Sequence, residues 1–369
     1  MKHLSEFENK LIAEIDRIRD DLISDIISLI KIPSVKGEAK ADAPYGPYPK
    51  KALEKAMEIA KREGLECHFV GNHMAYSSIG NSDKYIGIFG HLDVVAAGVE
   101  KKWTYPPFAG DIVANRIYGR GALDNKGPSM AAFYGLLALK NLGYDFINHQ
   151  VRMVFGSDEE SGMSDLRYYL SKEKPPLMGF VPDNKFPAIF AERGRAEFEI
   201  TGDGLEQFYR DLLSDKNKVV EKLELDFEDK TFGQILVKLT EKKDSTIRLV
   251  LSTPEIEIDD LTKKIEDKAK DINVKLVKYY GPARKSRDSL LVSRLNQVYN
   301  DYTGDNISPN TTTGMIYAHY CPNVIGFGPS FPGQNGIANL PDEWIDIDDL
   351  LDMAKIYAIG IYRLDKLKS

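Results

Sequence analysis

The residues that could do chemistry fall in four short stretches. "IFGHLDVV" carries His91 and Asp93 two positions apart. At that spacing the imidazole can ligate a metal while the carboxylate accepts the other ring N–H and fixes the ring. "YGRGALDNKGPSM" sets Asp124 among glycines, which permit close backbone approach to something bound. "VFGSDEESG" places Asp158, Glu159 and Glu160 in a row. Neighbouring carboxylates repel one another unless water or a cation neutralises them. Two adjacent glutamates can also divide the labour, one ligating a metal and the other holding a proton for the attacking water. "GFVPDNKFP" brings Asp183. Taken singly, each stretch also fits a polar loop, an acid near a helix N-terminus or a solvated acidic turn. Together His91, Asp124, Glu160 and Asp183 make a donor set of one imidazole with carboxylates, which suits zinc or a harder ion such as manganese.

These residues need a scaffold, and the apolar pattern predicts one. Phe7, Leu11, Ile15, Ile18, Leu22, Ile26 and Leu29 recur every three or four positions, predicting one amphipathic helix from a Ser5 N-cap. A second helix is predicted over 50–63, stopped by Gly64. "ECHFVG", "MAYSSIG" and "YIGIFG" read as strands, "GPSMAAFYGLLALKNLG" as a helix closed by Gly143, and "QVRMVFG" as a buried strand. A helix at "SDLRYYLSKE" and strands at "MGFVPD" and "AIFAERG" follow. This alternation predicts an α/β fold, a mixed sheet flanked by helices. His91, the acidic run and Asp183 then fall at the carboxyl ends of strands, where open α/β sheets bind ligands. From Arg193 the predicted order changes to β-α-β-β-α-β, a split βαβ arrangement. The expected organisation is a metal-binding domain of residues 1–192 and 282–369, with an inserted α+β, ferredoxin-like domain over 193–281.

Composition narrows the function classes. The chain has 369 residues, 43% hydrophobic and 28% charged, with net charge −7, which argues against nucleic acid as a partner. No run reaches the ~18 apolar residues that a membrane span requires. Cys67 and Cys321 form neither a disulfide framework nor a CxxC motif, and read as reduced thiols of a cytoplasmic protein. The N-terminal "MKHLSEFENK" lacks the apolar segment of a secretory signal.

The four motifs, in this order, resemble the dinuclear zinc peptidase family of aminoacylases, carnosinases and peptidase V-type bacterial dipeptidases. The likeness runs over nearly the whole chain, and "GRGALDNKGP" and "SDEESG" are similar to its dipeptidase branch. The resemblance implies that Asp124 bridges two metals, His91 and Asp183 complete one site, and Glu160 ligates the second. It implies that Glu159 is the general base, that Asp93 orients His91, and that the Asp124–Asn125 peptide is cis. It also implies that the inserted domain is a lid.

Three positions depart from the family pattern. In "PGQNGIANLPDEW" Asn339 stands where the family has a histidine ligand, so a weak or lost ligand is expected there. Residues 193–310 contain no histidine, although the family places one in the lid to steady an oxyanion. In "TTTGMIYAH" His319 stands where the family has an arginine for the substrate carboxylate, with metal ligation by His319 as the alternative. The expected function is a metal-dependent dipeptidase-like hydrolase acting on a small peptide or N-acyl amino acid. It would use one or two zinc ions, or manganese, and exist as a monomer or lid-mediated homodimer. The alternative is a degenerate relative that binds a metal or an amino-acid-like ligand without efficient hydrolysis.

Overall fold

Every residue of the strand Tyr85–His91 is buried, the pattern of a central strand covered on both faces. In the computed structural model, which describes residues 4–213, 218–270, 272–334 and 337–367, that strand sits at the middle of a mixed sheet. From one edge the order is Glu66–Val70, Met74–Ile79, Gln150–Gly156, Tyr85–His91, Met178–Val181, Val324–Phe327 and Ala188–Glu192. The four strands from Gln150–Gly156 to Val324–Phe327 are mutually parallel, and their outer neighbours are antiparallel. The mixed sheet flanked by helices is therefore the one expected.

The helix Lys126–Asn141 is buried along nearly its whole length, as an apolar helix without a polar face must be. It packs on Tyr85–His91 and Gln150–Gly156, and against the C-terminal helix Ile347–Asp365. The predicted single helix after Ser5 is two, Glu6–Arg17 and Arg19–Ile30, with Ile18 between them outside helical geometry. Both pieces pack on Lys126–Asn141, the first also on Ile347–Asp365 and the second also on Pro47–Arg62. The Ser5 cap is present, with Ser5 and Glu8 bonding reciprocally to each other's backbone.

The chain divides into two compact units, residues 1–190, 285–310 and 316–369 in one, and 191–284 with 311–315 in the other. The second holds an antiparallel sheet in the order Leu236–Lys243, Thr246–Thr253, Gly194–Thr201, Asn273–Tyr280, with helices Leu205–Leu213 and Ile258–Ala269. This is the β-α-β-β-α-β order, closed over its own core of Phe198, Ile200, Leu249, Leu251, Leu261 and Ile265. Among the described residues no helix is long and apolar enough to cross a membrane.

A small sheet in the first unit has no counterpart in the sequence prediction. Trp344–Asp346 pairs antiparallel with Arg116–Tyr118, which pairs with Asp111–Val113. Three-residue strands are too short to show a period. This sheet carries the end of the "PGQNGIANLPDEW" loop to the strand that leads into the Asp124 loop.

Candidate metal centre

Three adjacent parallel strands supply the chemistry from their carboxyl ends. His91 closes Tyr85–His91 and lies beside Gly156, so the Asp158–Glu160 run starts two residues beyond that pair. Asp183 follows Met178–Val181 on the other side. Asp124 comes from the loop before helix Lys126–Asn141, with Asn125 at the N-cap position and a cis Asp124–Asn125 peptide, as the resemblance implies. A Cβ at Gly90 would overlap the Ser129 hydroxyl, and one at Gly156 the Tyr317 hydroxyl, so the strand ends must be bare for the loops to close over them. Asn125 fastens the elements together. Its Oδ1 accepts from Ser129 Oγ at 2.6 Å and from His91 N at 3.4 Å, and its Nδ2 donates to Pro182 O at 2.7 Å.

One ligand atom from each of His91, Asp124 and Asp183 lies within 4.8 Å of the others. His91 Nε2 is 3.1 Å from Asp124 Oδ1 and 3.5 Å from Asp183 Oδ2. Asp93 serves His91 by a different atom from the one expected. His91 Nδ1 is 3.0 Å from the Asp93 main-chain oxygen and 3.5 Å from its carboxylate. The carboxylate is otherwise engaged, because its two oxygens accept from Glu159 N and Glu160 N at 3.2 Å each. Glu160 lies outside the converging trio, and its buried Oε1 has no hydrogen-bond partner. Asn339, at a left-handed φ of 65°, donates from Nδ2 to Asp124 Oδ2 at 3.0 Å. His319 ends the short turn Tyr317–His319, its ring 4.8 Å from that of Tyr320.

The residues fit a divalent cation. A donor set of imidazole and carboxylates is in place, and Glu160 presents a buried oxygen without a partner. The electrostatics point the same way. Burial alone would depress the His91 imidazole, but the carboxylates of Asp124, Asp183 and Asp93 hold it well above its usual range. Burial drives Glu159 well above the carboxylate range, with Asp183, Glu160 and Asp124 adding to it against His91. Glu160 is pushed up to about 8, by burial and then by Asp124. Burial and Asp124 also raise Asp183.

All four groups bind their protons more tightly folded than unfolded, so their stabilising contribution is full at low pH and is lost as pH rises. The metal-free protein is expected to melt at progressively lower temperature as pH climbs from the ordinary Glu value of 4.5 towards 8. Added zinc should flatten that slope. A series of melts with and without zinc checks this, and a metal-free melting point that rises over the same window would be the wrong sign.

Several supporting residues were not singled out from the sequence. Asp165 Oδ2 accepts from Ser157 N at 2.7 Å, Asp158 N at 2.9 Å and Tyr317 Oη at 2.5 Å, holding the base of the acidic loop. Burial, and then the Asp93 charge, push its carboxyl up to about 7 against those donors. Lys126 is fully buried and donates to Leu29 O at 2.9 Å, in the last turn of helix Arg19–Ile30, and to Ile32 O at 2.7 Å just past it. Glu343 and Arg120 join the Asp124 loop to the Asn339 loop. Asp165 looks like an ordinary first-turn helix acid, and Glu343 like a turn residue. Only their distant partners distinguish them.

Residues 87–362 match Peptidase family M20/M25/M40. The Bacillus subtilis (strain 168) protein "Putative dipeptidase YtjP" is 26% identical over 462 aligned positions, covering 96% of this chain and 99% of that protein. Since those positions exceed the 369 residues present here, the relative carries residues that this chain lacks. A "Putative dipeptidase" of Staphylococcus aureus (strain USA300) is 37% identical over 194 residues, 52% of this chain and 41% of that protein. Among solved structures, human carnosine dipeptidase 1 matches with a TM-score of 0.72 and 14% identity, over 98% of this chain and 100% of that one. The dipeptidase Dug1p of Saccharomyces cerevisiae matches with a TM-score of 0.70 and 14% identity, over 99% and 100%. The structural matches speak for the fold, and the sequence match covers most of the chain: this protein belongs to Peptidase family M20/M25/M40.

Proposed function

We propose that the protein is a metal-dependent dipeptidase-like hydrolase that cleaves the amide bond of a small peptide or N-acyl amino acid with water. The observation that carries this is the convergence of His91, Asp124 and Asp183 donor atoms within 4.8 Å, in a chain of this family. Zinc suits one imidazole with two carboxylates, and manganese is the harder substitute. Held by His91, Asp124 and Asp183, such a cation would supply polarisation of the scissile carbonyl and a lowered pKa for the attacking water. Glu159, buried beside the donor set, would act as its carboxylate, taking a proton from that water and passing it to the leaving amine nitrogen as the C–N bond breaks. Asp93 steadies both sides, holding His91 through its main-chain oxygen and the Glu159–Glu160 backbone through its carboxylate. We assign His319 to the substrate carboxylate and the βαββαβ unit to the lid. The reduced thiols Cys67 and Cys321 fit a cytoplasmic setting.

We read the centre as having one tight metal position and one weak one. Asp124 offers Oδ1 towards His91, while its Oδ2 is taken by the Asn339 amide. A neutral amide is a poor zinc donor beside imidazole. Calorimetric titration of the metal-free protein with zinc is expected to give one tight ion, and Asn339→His to add a second. If the second position does not tighten in that variant, the role given to Asn339 is wrong. The same contact favours a second reading, a protein that binds a metal or an amino-acid-like ligand without efficient hydrolysis. Turnover of a dipeptide panel by the metal-loaded protein separates the two.

A further inference from the structure

Asn339 and Asp124 lie on two loops 215 residues apart, which the pairing of Trp344–Asp346 with Arg116–Tyr118 brings together and a buried ion pair joins. Glu343 is wholly buried, and Arg120 is 1% exposed. Arg120 Nη1 donates to Glu343 Oε2 at 2.5 Å. The other oxygen, Glu343 Oε1, accepts from the backbone N–H groups of Gly121, Leu123 and Asp124, each at 3.0 Å. The remaining reach of Arg120 goes to the other loop, with Nη2 to Asn339 O at 3.2 Å and Nη1 to Leu340 O at 3.4 Å. Next along the loop, Asp342 accepts from Thr104 N at 2.7 Å, Thr104 Oγ1 at 2.8 Å and Tyr105 N at 3.3 Å.

A carboxylate that holds the N–H groups leading into Asp124 fixes the direction from which the Asp124 side chain departs. It does so without touching metal or substrate. Hydrophobic packing cannot supply this, because those N–H groups would be left buried without acceptors.

We propose that Glu343, with Arg120 as its partner, is a positioning residue of the metal centre, setting the Asp124 loop and the Asn339 loop to one fixed separation. The inference rests on the metal-centre reading above. Partners that orient ligands without touching the metal commonly change affinity by about 10- to 100-fold.

The test compares Glu343→Gln with the parent in three measurements: zinc affinity by competition with a chelating dye, the visible spectrum after loading with cobalt, and the melting temperature without metal. The expected result is a zinc affinity lower by about 10- to 100-fold with altered cobalt bands, in a variant that remains folded. A purely structural role would lower the metal-free melting temperature and leave the cobalt bands as in the parent. Parent-like affinity and bands in a folded Glu343→Gln would overturn the proposal. Should that variant fail to fold, Arg120→Lys takes its place, because it keeps the positive charge and removes the fork to Asn339 O and Leu340 O. Unchanged affinity and bands there overturn the proposal equally. If the parent itself takes up no zinc, the metal-centre reading fails and this inference with it. A zinc-binding parent with an indifferent Glu343→Gln removes only this one.

Discussion

Glu159→Gln is expected to abolish dipeptide turnover while the protein still takes up zinc. Glu159 has backbone support from Asp93, burial, and no place in the converging donor trio. Its task in the proposed reaction is proton transfer alone. The substituted amide would keep the size of the side chain and the backbone N–H bond to Asp93, but could not accept a proton from water. Loss of a positioned general base commonly costs about 100- to 10,000-fold in rate. Steady-state assays paired with a zinc titration check it, the expected pattern being a fall in kcat with zinc uptake unchanged. A variant that hydrolyses dipeptides like the parent would remove Glu159 from the mechanism.

Asp124→Asn should do the opposite and take the metal away. Asp124 Oδ1 faces His91 Nε2, and its backbone N–H is held by Glu343, so an amide there keeps the fold and loses the charge. Since orienting partners alone are worth about 10- to 100-fold in metal affinity, loss of a direct carboxylate ligand should exceed about 100-fold. Turnover should fall with the affinity and recover in part at high metal concentration. Competition against a chelator reads the affinity. Parent-like zinc binding in Asp124→Asn would mean that the cation is held elsewhere.

The two variants separate the parts of the site, and the sequence foretold those parts unevenly. The strands ending in His91, the acidic run and Asp183 were readable because buried parallel strands are continuous apolar runs, and chemistry gathers at their carboxyl ends. The inserted β-α-β-β-α-β order was readable for the same reason of periodicity. What escaped depends on long-range contact. The break at Ile18 leaves the apolar spacing undisturbed; the two helices share Lys126–Asn141 and differ in their second partner, a long-range contact. The sheet of Trp344–Asp346 with Arg116–Tyr118 is too short for a pattern. Glu343 and Asp165 resemble common turn and helix acids until their backbone partners are seen. Asp93 was recognised by type and spacing, yet sequence could not tell its carboxylate from its main-chain oxygen as the atom nearer His91.

Asn339 shows both sides of this. The resemblance set it at the position of a metal ligand, and its amide reaches the Asp124 carboxylate. The hydrogen bond it makes there uses N–H, the end that a metal ligand would not use.

Dipeptide hydrolysis by the metal-stripped protein, followed as zinc or manganese is added back, decides whether His91, Asp124 and Asp183 form a working hydrolytic centre. Turnover should be absent without metal, rise with metal added, and stay absent in Glu159→Gln at every concentration. A parent that binds zinc yet cleaves no dipeptide at any metal concentration would contradict it.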